Sequence, residues 1–124
     1  MRIFCSKWFA RFARHERISR ESLRNAIERA ERGLIDADLG GGLIKQRIPR
    51  QGKGRSSGYR VIIAFKMRDL SVFLYGFAKN ELENIEADDL TTLRELASEW
   101  LAADTERIAL AIAQNELQEV FSDD

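Results

Sequence analysis

The sequence predicts an α+β fold: a small antiparallel β-sheet with N-terminal helices and C-terminal helices packed on it. Three observations carry this. Leu23, Ala26, Ile27 and Ala30 recur at helical spacing early in the chain. Two strand-like runs, 59–66 and 70–77, follow each other across a three-residue link. Leu90, Leu93, Leu96, Ala97, Trp100 and Leu101 then restore the helical period. With 124 residues, 44% of them apolar and 32% charged, the chain has the size and composition of one globular domain.

Met1–Cys5 reads as a short edge strand, and Trp8, Phe9 and Phe12 as the apolar side of a short helix. Ser19 is a good N-cap for the next helix, with Ile18 and Leu23 at the two positions of a hydrophobic staple. Arg24, Glu28, Glu31 and Arg32 face outward, and Gly33 offers the stop. Asp38–Gly42 reads as a loop. Leu43–Ile48 is a strand that puts Leu43, Lys45 and Arg47 on one face and Ile44, Gln46 and Ile48 on the other. Pro49 ends it, and Gly52–Gly58 is too rich in glycine and polar residues for anything but a mobile loop.

Tyr59–Lys66 places Val61, Ile63 and Phe65 on one face, and Met67–Asp69 makes a hairpin with Leu70–Phe77. Pairing across that link sets Arg60 opposite Phe77, so that Arg60, Tyr75 and Lys79 project together unless the register slips by one. Phe73, Tyr75 and Phe77 share parity and would form a stacking platform, although Trp8, Phe65, Phe73, Phe77 and Trp100 are most simply core residues. After the acidic stretch Glu81–Asp89, a helix carries the leucine series, with Asp88 and Asp89 in its first turn. A last helix around Thr105–Gln114 uses Ile108, Ala111 and Ile112.

Charge is the chemical signal. Residues 1–42 hold nine Lys/Arg against six Asp/Glu, residues 43–68 eight against none, and residues 69–124 three against fourteen. A zero total thus conceals segments of +3, +8 and −11. The cationic run 44–60, broken by glycines and followed by a strand, suits an extended polyanion, with nucleic acid ahead of a protein partner. Other chemistries find little support. His15 stands alone and reads as a surface residue, and Cys5 reads as a half-buried small hydrophobe that cannot form an internal disulfide. Glu81, Glu83, Glu86, Asp88 and Asp89 match no calcium- or magnesium-binding spacing, so no metal or other cofactor is expected. The Gly52–Ser56 stretch lacks the spacing of a phosphate-binding P-loop. Without a membrane-length apolar stretch or a signal-peptide pattern, the expectation is a cytoplasmic protein with no membrane partner.

The segment Arg55-Ser-Ser-Gly-Tyr-Arg-Val-Ile-Ile-Ala-Phe65, followed by Gly76-Phe-Ala-Lys-Asn-Glu81, resembles the RelE/ParE superfamily of type II toxin–antitoxin toxins. Gly41-Gly-Leu-Ile-Lys-Gln-Arg47 and Tyr75–Glu81 look most like its HigB-like branch. The resemblance runs from about Leu34 to Leu101 and implies one RelE-like domain over 1–124, acidic and helical from about 87. It implies an mRNA interferase that cuts the message in the ribosomal A site by attack of the ribose 2′-hydroxyl, without metal. The implied partners are mRNA, the ribosome with its rRNA, and a cognate antitoxin, in this branch often a helix-turn-helix protein.

Carried over by position, Arg60 would clamp the scissile phosphate, Lys45 and Arg47 match a basic pair in which Lys45 is the candidate base, and Lys79 would contact phosphate. Arg50, Lys53, Arg55, Tyr59 and Tyr75 are the candidate RNA contacts. Some relatives carry an arginine after the lysine at 79 and a tyrosine a few residues later. Here Asn80 takes the first place and no aromatic the second, which leaves the general acid open, with Tyr59 and Tyr75 as substitutes. The rival implication is a non-catalytic toxin that binds a protein such as DNA gyrase, as ParE-like relatives do, or a degenerate homologue that binds RNA without cutting it.

Overall fold

The computed structural model describes residues 1–50, 58–78 and 86–121. Strand β1 (Arg2–Ser6) runs straight into helix α1 (Lys7–Glu16), and α2 (Arg20–Glu31) follows. Strands β2 (Ala37–Gly40), β3 (Leu43–Ile48), β4 (Tyr59–Lys66) and β5 (Leu70–Ala78) come next. Helices α3 (Ala87–Ala102) and α4 (Thr105–Ala113) lead to a final short strand, β6 (Leu117–Glu119). The strands form one sheet in the order β2-β3-β4-β5-β1-β6, antiparallel except where β1 lies parallel to β5.

Local chemistry explains the helix boundaries. Ser6 caps α1 by accepting from the Phe9 N–H, and its own hydroxyl donates to the Leu74 carbonyl, which ties the helix start to β5. Ser19 caps α2 by accepting from Ser22 N. That helix ends in a Schellman arrangement, with Gly33 N–H donating to Ala30 O, Leu34 N–H to Arg29 O, and Gly33 at φ +81°. Asp104 caps α4 through Arg107 N at 2.7 Å.

Each face of the sheet carries its own core. One joins α1 and α2, through Phe9, Ala13, Leu23, Ala26 and Ile27, to Ile44, Ile48, Val61, Ile63 and Phe73. The other joins α3 and α4, through Ala97, Trp100, Ile108 and Ala111, to Leu43, Ile62, Ala64, Val72 and Leu74. Helices before and after an internal sheet therefore cover opposite faces. The α+β fold and the alternation of β3 and β4 agree with the expectation from sequence.

Four local expectations are corrected. β1 is an interior strand, because Ile3, Phe4 and Cys5 are all buried and it is paired on both sides; a continuous apolar run is the pattern of a strand covered on both faces. Cys5 is accordingly 5% exposed rather than half-buried. Asp38–Gly40 belongs to a strand, not a loop, since positive φ at Gly40, Gly41 and Gly42 turns the chain tightly enough for β2 to pair with β3. β6 gave no sequence signal: three residues with one buried side chain are too few for alternation to register. The fourth correction concerns β5. Ile63 pairs with Phe73 but Ile62 pairs with Tyr75, so Leu74 is an extra, bulged residue. The bulge splits the supposed platform, sending Phe73 into the α1–α2 core while Tyr75 packs against the α3–α4 core. The predicted 52–57 loop and the acidic run at 81–85 lie outside the described residues.

Candidate active site

Cross-strand register assembles the site. One row runs Lys45–Ile62–Tyr75 and the next runs Arg47–Arg60–Phe77, across β3, β4 and β5. Both rows share the parity of the α3 face, and at about 4.8 Å between strands each spans roughly 10 Å. Arg60 and Tyr75 thus project together, as the register argument expects. Arg47 and Arg60 stand directly opposite each other, a pairing that costs stability because like charges repel at that spacing. A fold that tolerates it has room for an anion there.

Sequence reasoning overlooked the acid that pairs with Arg60 and Lys45. Asp36, in the turn between α2 and β2, places Oδ2 3.4 Å from Arg60 Nε and 3.5 Å from Lys45 Nζ. Its N–H donates to the Lys45 carbonyl at 3.0 Å, which fixes the backbone beside the lysine. The Arg60 side chain is 16% exposed and that of Asp36 32%, so the cluster is shielded yet open to solvent on one side. A signal existed in the sequence: Asp36 is an acid within ten residues of the cationic strand, but only the chain reversal through β2 brings the two together.

Arg47 is held through its backbone. Pairing of β2 with β3 stops at Ala37–Lys45, and side chains take over the ladder beyond it. Gln46 Oε1 accepts from Arg47 N–H at 3.2 Å, and Arg29 Nη2 donates to the Arg47 carbonyl at 2.6 Å. Gln46 is itself 1% exposed, and its amide nitrogen donates to Ala26 O and Leu34 O. Burial, reinforced by the charges of Arg47 and Arg32, holds the pKa of Arg29 below its ordinary value. Arg29 is a further cation of this cluster that the sequence did not single out.

Aromatic rings border the rows. Trp8 is 47% exposed and lies tilted against Tyr75 with centroids 4.6 Å apart; Tyr75 lies 6.2 Å from Phe77. Trp8 is therefore not a core residue. It follows the end of β1, beside the bulged stretch of β5, while Phe9 takes the buried side of α1.

The structure sets two other candidates apart. Tyr59 is buried at 2% on the opposite, α1–α2 face, edge-on to Phe12, and Arg50 lies over its ring at 5.8 Å. Glu16 has a lowered pKa, chiefly through its bond with His15 and further through the Tyr59 hydroxyl, with burial opposing. Tyr59 and Arg50 thus belong to a second locality beside Glu16, away from Arg60. Lys53, Arg55 and Lys79 lie outside the described residues. Among the described residues, no group of three or more His, Cys, Asp and Glu side chains could hold a metal, and no helix is long and apolar enough to cross a membrane.

The arrangement can seat a phosphate between two arginines and a lysine, with a carboxylate acceptor at its edge and aromatic rings beside it. No curated protein gives a significant match to the chain. The family model for the RelE toxin of the RelE/RelB toxin–antitoxin system matches residues 1–120, nearly the whole sequence, and the chain belongs to that family.

Proposed function

We propose that the protein is a ribosome-dependent mRNA endonuclease of the HigB-like branch, which blocks translation until a cognate antitoxin, a helix-turn-helix protein, neutralises it. The observation that carries the reading is the opposed Arg47–Arg60 pair, one row from Lys45 on the same face. Cleavage by 2′-hydroxyl attack needs three things: a proton acceptor for the 2′-oxygen, stabilisation of the phosphorane's charge, and a proton for the 5′-oxygen. Arg60 and Arg47 are suited to the second task, since planar guanidinium groups bind phosphate oxygens through paired donors and stay charged. Lys45 adds a point charge beside them, and Lys79 is retained as a phosphate contact. The tilted Trp8–Tyr75 pair, with Trp8 half-exposed, offers a nearby nucleobase an aromatic face.

The test is expression of the wild type and Arg60→Ala in bacterial cells, with mapping of mRNA 5′ ends. The expected result is growth arrest with new ends inside codons for the wild type, and loss of both for the variant. Growth arrest without new ends would refute the nuclease and favour a toxin that binds a protein target.

A further inference from the structure

We infer that Asp36, rather than Lys45, is the group that accepts the proton of the attacking 2′-hydroxyl; this rests on the endonuclease reading above. The case begins with donors and acceptors. An ammonium has three donors and no acceptor, and a guanidinium likewise has none, whereas an ionised carboxylate only accepts. Of the three side chains that meet at Asp36 Oδ2, the ionised carboxylate alone offers a lone pair to a proton, and taking it up loosens the two ion pairs until the proton leaves again. Lys45 is in addition ion-paired with that carboxylate, Nζ lying 3.5 Å from Oδ2.

Position favours the same assignment. Asp36 touches the two cations of adjacent rows, Lys45 and Arg60, so a phosphate drawn to them lies beside the carboxylate. The backbone bond from Asp36 N–H to Lys45 O holds this acceptor in register with β3. Its side chain is about a third exposed, enough for a ribose to approach. It is shared by two cations, Arg60 and Lys45, an excess of positive charge that keeps an anionic substrate attractive despite the acid.

In the step itself, an Asp36 carboxylate oxygen takes the 2′-hydroxyl proton as the 2′-oxygen bonds to phosphorus. The bond from phosphorus to the 5′-oxygen breaks, and a water molecule protonates that oxygen. The products are a 2′,3′-cyclic phosphate and a 5′-hydroxyl. Asp36 then gives its proton to the hydroxide left by that water, which restores both the carboxylate and the water molecule.

The experiment uses bacterial ribosomes programmed with a short message, either all-ribose or with 2′-deoxyribose throughout the A-site codon. Cleavage is timed on the first and affinity measured on the second, for wild type, Asp36→Asn and Asp36→Glu. In Asp36→Asn the cleavage rate at saturation should fall about 100-fold or more, the usual scale of general base catalysis. Affinity for the deoxy complex should hold or tighten, because a negative charge has left a phosphate site. Asp36→Glu, which retains the acceptor, should cleave faster than Asp36→Asn. A merely structural Asp36 would instead weaken binding together with cleavage. That pattern, or cleavage by Asp36→Asn within threefold of wild type, overturns the assignment and returns Lys45 to the role. A wild type that leaves the all-ribose message intact removes the endonuclease reading itself.

Discussion

Replacing Gln46 with leucine should cost this protein about 2–4 kcal/mol and disturb the candidate site without touching any of its charges. Gln46 is 1% exposed and makes three hydrogen bonds, to Ala26 O at 3.0 Å, Leu34 O at 2.9 Å and Arg47 N at 3.2 Å. Leucine has a similar volume, so the cavity contribution is small and the polar loss decides. The Ala26 carbonyl lies inside α2 and keeps its helical partner. Arg47 N–H and Leu34 C=O lose theirs, at about 1–2 kcal/mol for each group left shielded and unsatisfied. In a chain of 124 residues, where roughly 4 °C of melting temperature follows each kcal/mol, the midpoint should drop by about 8–16 °C. The same substitution unties the turn that carries Asp36 from the strand that carries Lys45 and Arg47. Urea unfolding followed by circular dichroism measures the cost. A loss under about 0.5 kcal/mol would refute the view that side chains replace the strand ladder beyond β2.

A methyl group at Gly76 would lie 2.7 Å from Phe12 Cε2 and 3.1 Å from Phe9 Cε1, so Gly76→Ala should destabilise by about 1–3 kcal/mol, read from the urea midpoint. Burial pushes the Cys5 thiol up to about 12, which makes it inert to maleimide at pH 8 until the protein unfolds; labelling of the native protein within minutes would contradict this. Because the folded value is the higher one, its stabilisation is complete below the unfolded pKa and is lost above about pH 9, at up to about 1.4 kcal/mol per unit. Wild type should therefore lose stability relative to Cys5→Ala between pH 9 and 11 in denaturant titrations. Glu95 and Glu99 make no ion pair among the described residues, and replacing both with glutamine should raise affinity for non-cognate RNA at low salt; an unchanged binding isotherm would discount a steering role for α3.

What the sequence made legible follows a physical line. Elements with long, strongly periodic patterns were readable: α2 with its serine cap and Gly33 stop, and β3 and β4 with their alternation. From those two strands the Lys45, Arg47 and Arg60 face followed, because period-2 alternation and a short hairpin fix parity over a few residues. Parity then failed at Leu74. No residue there announces a bulge; it arises where β1 ends against Phe73 and the chain turns into α1, a contact between segments some seventy positions apart. Trp8 and Asp36 were missed for the same reason. Each reaches the site only through a tertiary reversal, Trp8 across the margin of β5 and Asp36 through the turn into β2, and neither carries a local pattern that separates it from a core aromatic or a surface acid.

The cationic run also changes meaning in three dimensions. Its six charges without an acid describe a linear sequence, whereas the folded site includes the Asp36 carboxylate, supplied from outside the run, at the junction of Lys45 and Arg60. Removing that carboxylate would take from Lys45 and Arg60, cations of adjacent rows, the acid that both approach, so it relieves the repulsion between them in the folded state. Relief is incomplete, since the one carboxylate is shared by two cations, Lys45 and Arg60, and the remainder favours a second anion. The structural elements that fix Arg47, namely Gln46 and Arg29, act on its backbone and leave the guanidinium outside those bonds. Stability and chemistry are thus assigned to different atoms of the same residue: main-chain bonds hold the strand in register, and the side-chain charge is the part suited to phosphate.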